Sequence, residues 1–341
     1  MLQRLDPVSI LFLMIKPFIL GKKIFPVNLI QGPLAGISSA PFRRLAWRYS
    51  QPAFSCTEMI SCKTILYQSQ LAQQRYMAKA LGEGPVCFQL SGSDPAELAE
   101  ATKRVTDVGA DLIDLNCGCP VKKIRSRGAG SSLLMNASTL YQLICAMKEN
   151  TSVPVSIKIR VEGGSDEKCN SEIAKVVADA GADFLVVHGR HWRENYETPC
   201  RYDEVQFFVE QLKIPVIGNG DIACVKSLKR MLATGCAGVM IGRAGVGQPW
   251  LIKKLVAEIK QEKFIPPSYQ EIGFMFLEHV QGLIALLGTE KLAILQARKF
   301  VKYYARGLKN KDKLCTAVNL CETFQELQAL TLGFFGGSAS I

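Results

Sequence analysis

Five short stretches of this chain place polar or reactive side chains at the ends of apolar runs of strand length. They are Asn116-Cys-Gly-Cys-Pro120, Lys158-Ile-Arg160, His188-Gly-Arg190, Asn219-Gly-Asp221 and Gly242-Arg243. A thiol beside a glycine turn can act as acid, base, nucleophile or metal ligand, depending on its thiolate fraction. With twelve cysteines in the chain, burial as a small hydrophobe is the ordinary fate of any one of them. Cys117 fits that fate, whereas Cys119 follows the turn and falls in a loop. Lys158 alternates out of Val155-Ser-Ile157 toward the strand end, where a cation could hold electron-rich ring atoms or a phosphate; a surface lysine is the bland alternative. His188, one of three histidines, suits a hydrogen-bonded rim residue as well as a catalyst. In Asn219-Gly-Asp221 and Gly242-Arg243, glycine lets backbone N–H groups come close to an anion.

The elements that must position these residues are eight apolar runs, at 28–34, 53–57, 86–90, 112–116, 155–159, 184–188, 215–219 and 239–241. The central ones are continuous Val/Ile/Leu runs and not alternating, which suits strands buried on both faces of a parallel sheet. Amphipathic stretches at 95–108, 137–148, 171–180 and 223–233 lie between them. Asp107-Val-Gly-Ala-Asp111 and Asp179-Ala-Gly-Ala-Asp183, with Thr234-Gly-Cys-Ala-Gly238 as a looser copy, each precede a strand. They read as helices ended by a left-handed glycine and a short turn into the next strand. Eight such units over roughly residues 27–250 predict an α/β fold, a (β/α)8 TIM barrel of the usual ~250 residues, with a doubly wound sheet as the alternative. In a barrel the active site lies at the C-terminal strand ends, and phosphate binds after strands seven and eight. The polar stretches fall at those places.

After Trp250 buried strands give way to helical patterns broken by Pro266-Pro267, Gly288 and Gly307. The expected organisation is an N-terminal extension (1–21), a catalytic barrel (22–258), an all-helical domain (259–335) and a frayed tail (336–341). Met14 is a second candidate start that would leave 1–13 untranslated, and a hairpin is expected to begin there.

Composition narrows the partners. With 48% hydrophobic and 21% charged residues, the 341-residue chain is globular, not collagen-like or wholly disordered. Forty-one Lys and Arg against thirty Asp and Glu give a net charge of +11, which draws anionic partners over long range. The scattered cysteines form no C-x-x-C pair, which predicts free thiols, a reducing cytoplasmic setting and no metal site. The apolar run 8–15 is too short to span a bilayer, so no membrane association is expected. Two basic clusters stand out. Val121-Lys-Lys-Ile-Arg-Ser-Arg127, with Lys122, Lys123 and Arg125, follows the cysteine loop and could grip a phosphate backbone. Arg298, Lys302, Arg306 and Lys309 are spaced along one helix face if the helix persists through Gly307, with Lys299 beside them and Tyr303 and Tyr304 interleaved for stacking. A solvated helix face would look the same.

Taken together, these motifs resemble the bacterial tRNA-dihydrouridine synthases, most closely their DusB-like branch, over residues 22–330. Gly32-Pro-Leu-Ala-Gly-Ile-Ser-Ser-Ala-Pro-Phe-Arg43 is similar to the family's opening A-P-M-A-G-V motif, and Asn116-Cys-Gly-Cys-Pro120 to its N-M-G-C-P. Ile217-Gly-Asn-Gly-Asp-Ile222, Met240-Ile-Gly-Arg-Ala244 with Gly247-Gln-Pro-Trp250, and Ala297-Arg-Lys-Phe-Val-Lys-Tyr-Tyr304 are similar to later signatures. The resemblance implies an FMN-dependent enzyme that reduces uridines of tRNA, expected in the D-loop, to 5,6-dihydrouridine with NADPH or NADH as reductant. It implies FMN contacts from Pro33, Leu34, Ala35, Gln89, Lys158, His188, Asn219, Gly220, Asp221, Gly242 and Arg243. It further implies hydride transfer from the flavin to uracil C6, Cys119 as the acid protonating C5, Asn116 holding the flipped uracil, and tRNA contacts from the two basic clusters. The protein would be a monomer when free of tRNA. Phe300 and Tyr303 depart from the family's histidine and tryptophan, His191-Trp192 replaces its T-R, and Tyr202 stands where many members carry tryptophan. These departures bear on the target uridine more than on the flavin site. Another FMN barrel oxidoreductase acting on a small pyrimidine or enone, and a catalytically silent tRNA-binding relative, are the competing readings.

Overall fold

A computed structural model describes residues 15–21, 23–162 and 167–337; residues 1–13, which a start at Met14 would leave untranslated, and Met14 itself lie outside them. The eight-strand prediction is borne out as a closed parallel barrel, and the doubly wound alternative is not. Its staves are β3 (Leu29–Gln31), β4 (Ser55–Cys56), β6 (Val86–Ser91), β7 (Leu112–Cys117), β8 (Val155–Arg160), β9 (Phe184–His188), β10 (Val216–Asn219) and β11 (Gly238–Ile241). β11 pairs back onto β3, and β4 onto β6, which closes the ring. The second stave is broken: β5 (Ile60–Ser61) continues it after a gap and pairs with the upper end of β6. In the gap the Thr57 hydroxyl accepts the Gln89 N–H at 3.0 Å, a ladder bond that a backbone carbonyl would otherwise take. The apolar run 53–57 shows no sign of this interruption.

Each strand end is tied by local chemistry. Gly109, Gly181 and Gly235 take φ of +92°, +74° and +81°, as their repeated context predicts. The aspartates closing the two full copies do more than turn the chain. Asp111 accepts the Val86 N–H at 3.0 Å, and Asp183 the Val155 N–H at 2.7 Å, so each carboxylate caps the start of the neighbouring stave.

Two apolar layers surround the staves. Outward side chains such as Ile113, Leu115, Ile157 and Val187 pack on the helical ring, which includes α4 (Pro95–Asp107), α6 (Ala137–Lys148), α7 (Glu167–Asp179), α8 (Tyr202–Gln211), α9 (Val225–Leu232) and α10 (Leu251–Ile259). Inward side chains of the lower barrel, among them Phe54, Phe184, Leu112 and Ile217, meet Phe18, Leu20 and Phe25 of an antiparallel hairpin, β1 (Phe18–Leu20) with β2 (Lys23–Phe25). This hairpin plugs the N-terminal end of the barrel, and the boundary expected at 21/22 cuts through it.

Ile259, the last residue of α10, still packs in the barrel's outer layer. The helices α11 (Tyr269–Leu287), α12 (Glu290–Tyr304), α13 (Lys311–Leu320) and α14 (Phe324–Gly336) then build a second core, into which Phe42, Val246 and Trp250 of the barrel reach. Ser268 with Glu271 and Thr323 with Glu326 form reciprocal caps that start α11 and α14, and Gly288 at φ +68° ends α11. Gly336 closes α14 and does not open a tail; residues 338–341 lie outside the described part. The barrel loop and α12 approach so closely at Gly247 (φ +70°) that a Cβ there would come within 2.3 Å of the Tyr303 backbone. Among the described residues, no helix is long and apolar enough to cross a membrane, and no three His, Cys, Asp or Glu side chains group to hold a metal.

Candidate active site

The C-terminal strand ends enclose a cavity of about 620 Å³. Pro33, Leu34, Ala35, Gln89, Lys158, His188, Asn219, Gly220, Asp221, Gly242 and Arg243 all line it, together with Asn116 and Cys119. Strand register explains the gathering. Asn116 lies opposite Lys158, and Asn219 lies opposite both His188 and Met240, so inward side chains of adjacent staves meet at one level.

On one wall Lys158 Nζ donates to Asn219 Oδ1 at 3.0 Å, and Asn219 Nδ2 donates to the Met240 carbonyl at 2.8 Å. Removal from bulk water brings the Lys158 ammonium down to about 8, against the opposing pull of Asp114. The cation is thus held ready, with its remaining exposure toward the cavity. Gly242 has open space where a Cβ would stand, so the backbone beside Arg243 stays accessible to a ligand. Gly220 is required for a different reason: a Cβ there would come within 2.5 Å of Cys200 Sγ, and its φ is +135°.

His188 and Asp221 are organised by a residue to which the sequence reading gave no role. Arg190, 1% exposed, sends Nη1 to His188 Nε2 at 3.2 Å and Nη2 to both Asp221 oxygens at 2.5 Å, and binds the Thr198 and Tyr196 carbonyls. A guanidinium can only donate, so His188 Nε2 accepts and the ring proton sits on Nδ1. Burial, followed by the charges of Lys158, Arg160, Arg190 and Arg243, pushes the imidazole well below its usual range, so it is neutral. The Asp221 carboxylate also accepts the Cys200 N–H at 3.1 Å. Its side chain therefore braces the loop after β9 and is already engaged. The signal for Arg190 was its place two residues past a buried strand. Arg243 lies 3.8 Å over the Tyr196 ring and 3.9 Å from Asp221.

The opposite wall carries the cysteine loop. Cys119 is partly exposed and lines the cavity, whereas Cys117 is buried, its thiol pushed far up by burial and by Asp114. Asn116 Oδ1 accepts the N–H groups of Gly118 and Cys119 at 3.3 and 3.0 Å, and Ser131 N–H donates to the Cys119 carbonyl at 3.0 Å. Gly130, at φ +64°, lets the chain pass: a Cβ would come within 2.8 Å of that carbonyl. Below this loop Asp114, unremarked in the sequence, is raised to about 7 by burial, opposed by hydrogen bonds from Ser156 and Gln89 and by Lys158.

The basic residues do not share one surface. Lys122 and Lys123 are exposed on the short helix α5 (Lys122–Arg125), while the Arg125 guanidinium lies 3.3 Å over the Trp192 ring. Arg298, expected at the helix surface, donates instead to the Cys321 carbonyl at 3.3 Å, and its Nε is buried inside the helical domain. Lys299 points back to the barrel loop, with Nζ 3.4 Å from where a Gly36 Cβ would stand. Arg306 and Tyr303 line the cavity, and Arg306 donates to the Ala244 and Val246 carbonyls at 3.5 and 3.4 Å. Lys302 stands exposed on α12, with Nζ 5.2 Å from the centre of the neighbouring Tyr303 ring. Phe300 is a core residue stacked on His279 at 4.2 Å, so its departure alters packing and not the surface.

The dihydrouridine synthase family model matches residues 30–333. A protein named tRNA-dihydrouridine synthase B from Pasteurella multocida is 33% identical over 305 residues, covering 89% of this chain and 91% of its own. Its namesake from Vibrio cholerae is 33% identical over 317 residues, covering 92% and 97%. That match runs through both the barrel and the helices beyond it, and the chain belongs to the dihydrouridine synthase family, flavin-dependent oxidoreductases built on a TIM barrel.

Proposed function

We propose that this protein reduces uridines in the D-loop of tRNA to 5,6-dihydrouridine, using FMN in the barrel mouth and NADPH or NADH as reductant. The observation that carries the reading is the arrangement of one cavity: Cys119 and Asn116 on one wall, Lys158, His188, Asn219 and Gly242 on the other, and Tyr303 of α12 with Arg306 just past its end at the rim. The donor set suits FMN. Its volume is within the range that holds such a ligand, Lys158 offers a cation to electron-rich ring atoms, and the open backbone at Gly242 with Arg243 suits a phosphate. Pro33, Leu34, Ala35 and Gln89 complete the ring contacts, and Gly220 and the Asp221 backbone the phosphate side.

Bound flavin supplies a hydride to uracil C6. The chain's own residues do the rest. Asn116 has one N–H beyond its bond to Gln89 with which to hold a flipped uracil. Hydride addition leaves enolate-like charge on the ring, and Cys119 gives its proton to C5. Neutral His188 donates through Nδ1–H without adding a competing charge. Lys122, Lys123, Lys299 and Lys302 offer cations to the tRNA backbone around the mouth. Arg125 and Arg306 shape the rim through Trp192 and the Ala244 turn, and Arg298 supports the helical domain from within. We place the enzyme in the cytoplasm as a monomer that meets tRNA without a membrane or metal.

The test is incubation of purified protein with FMN, NADPH and unmodified tRNA, mapping dihydrouridine by position. Formation at a defined D-loop site is expected. Bound FMN and bound tRNA without any dihydrouridine would contradict the reading.

A further inference from the structure

The cysteine loop is held by a chain of hydrogen bonds that runs in one sense. Backbone N–H groups of Gly118 and Cys119 can only donate, so the Asn116 atom they meet must be its oxygen. Asn116 Nδ2 then faces Gln89 and donates to Oε1 at 2.9 Å. That turns the Gln89 nitrogen toward Asp114, where it donates to Oδ2 at 2.7 Å. Asp114 Oδ1 accepts from Ser156 Oγ at 2.6 Å, and the carboxylate is 3% exposed and does not line the cavity. An amide can be reversed, whereas Asp114 Oδ2 accepts from Gln89 whether the carboxyl is ionised or carries a proton on Oδ1 toward Ser156, so Asp114 and the backbone N–H groups of the cysteine loop fix the two ends of the chain in the same sense.

We infer that Asp114 is a positioning residue for Cys119, acting through Gln89 and Asn116. By accepting from Gln89 it makes Asn116 present oxygen to the Cys119 loop. It also leaves each amide one N–H, so the edge offered to a ligand here is a donor edge, matched to carbonyl oxygens and unprotonated ring nitrogens of a pyrimidine-like ring. The inference rests on Cys119 being the proton donor, but the chain itself can be tested without the reaction.

Full-length protein, with and without added FMN, is treated with iodoacetamide, and alkylation of Cys119 is followed by mass spectrometry. Cys87, 1% exposed on the barrel floor, reports global unfolding. Asp114→Leu should raise the Cys119 rate about tenfold with Cys87 still protected, the size expected for one lost hydrogen bond to a charged group. Asp114→Asn should stay within about twofold of the parent, because its oxygen can accept from Gln89 while its nitrogen donates to Ser156. An unchanged Cys119 rate in Asp114→Leu, or Asp114→Asn as fast as Asp114→Leu, would overturn the inference. If Cys87 becomes reactive in Asp114→Leu, Gln89→Met cuts the next link and leaves Asp114 in place. It should raise the Cys119 rate similarly, and no rise would be equally fatal. The assay uses neither tRNA nor NADPH, so its outcome is separate from that of the proposed reaction.

Discussion

The barrel mouth and helix α12 are both rich in polar side chains, yet they use them in opposite ways. At the mouth, converging strand ends bring Lys158 to Asn219 two staves away, Asn116 to Gln89 on the next stave and Arg190 back to His188 two residues before it, and each polar group is fixed by the next. On α12 and just past its end the cations separate: Arg298 turns into its own domain, Lys299 to the first barrel loop, Lys302 to solvent, and Arg306, two residues beyond the helix, to the rim. The difference is geometric. Side chains on alternate positions of a closed barrel have one interior to enter, whereas a helix with two packed sides sends residues one or two apart to different partners. The mouth should therefore respond to substitution as a unit, and α12 residue by residue.

The largest expected effect is at the mouth. Cys119→Ala should lower dihydrouridine formation by about 100-fold or more while flavin and tRNA binding persist, measured by single-turnover assay. A normal rate would remove Cys119 as the acid. Next is Arg190→Met, which strands the Asp221 carboxylate and two loop carbonyls; urea unfolding should show a loss of about 3 kcal/mol. An unfolding curve overlaying the parent's would mean that the wall is not a unit.

Lys158→Met should weaken FMN about thirtyfold, as for loss of a charged hydrogen bond, measured by fluorescence titration. Because Lys158 is held down to about 8, its ammonium is present below that pH and lost above it. FMN affinity of the parent should therefore fall as pH rises through about 8, and the variant's profile should be flat there. The smallest effects belong to α12. Lys302→Glu should weaken tRNA about fivefold and flatten the salt dependence by about one counterion without altering the flavin spectrum. Arg298→Gln should leave tRNA affinity unchanged and cost about 1 kcal/mol of stability. Equal effects of the two on tRNA would restore a single basic face.

The same geometry accounts for what was legible in the sequence. Continuous apolar runs ended by Gly, Asn, Lys and His announce staves and their open ends, so the lining at Asn116, Cys119, Lys158, His188, Asn219 and Gly242 was readable from spacing, whereas Pro33, Leu34, Ala35 and Gln89 entered through the family resemblance. Asp114 and Arg190 were not readable, since an aspartate inside an apolar run and an arginine after a glycine carry no periodic signal of their partners. The break at Thr57 was hidden because its hydroxyl substitutes for a backbone acceptor without changing the apolar pattern. Spacing placed four cations on one helix face, but α12 ends at Tyr304 and Gly307 turns the chain at φ +77°, so Arg306 and Lys309 lie beyond the helix, and packing decides where Arg298 and Lys302 point.

The central claim, that one cavity brings flavin and uracil together over Cys119, is tested most directly by anaerobic stopped-flow. Protein carrying reduced FMN is mixed with unmodified tRNA, or with tRNA already carrying dihydrouridine at the mapped position. The account predicts rapid loss of the reduced-flavin spectrum with the first and none with the second. Identical traces with both, or no change with either despite bound tRNA, would contradict it.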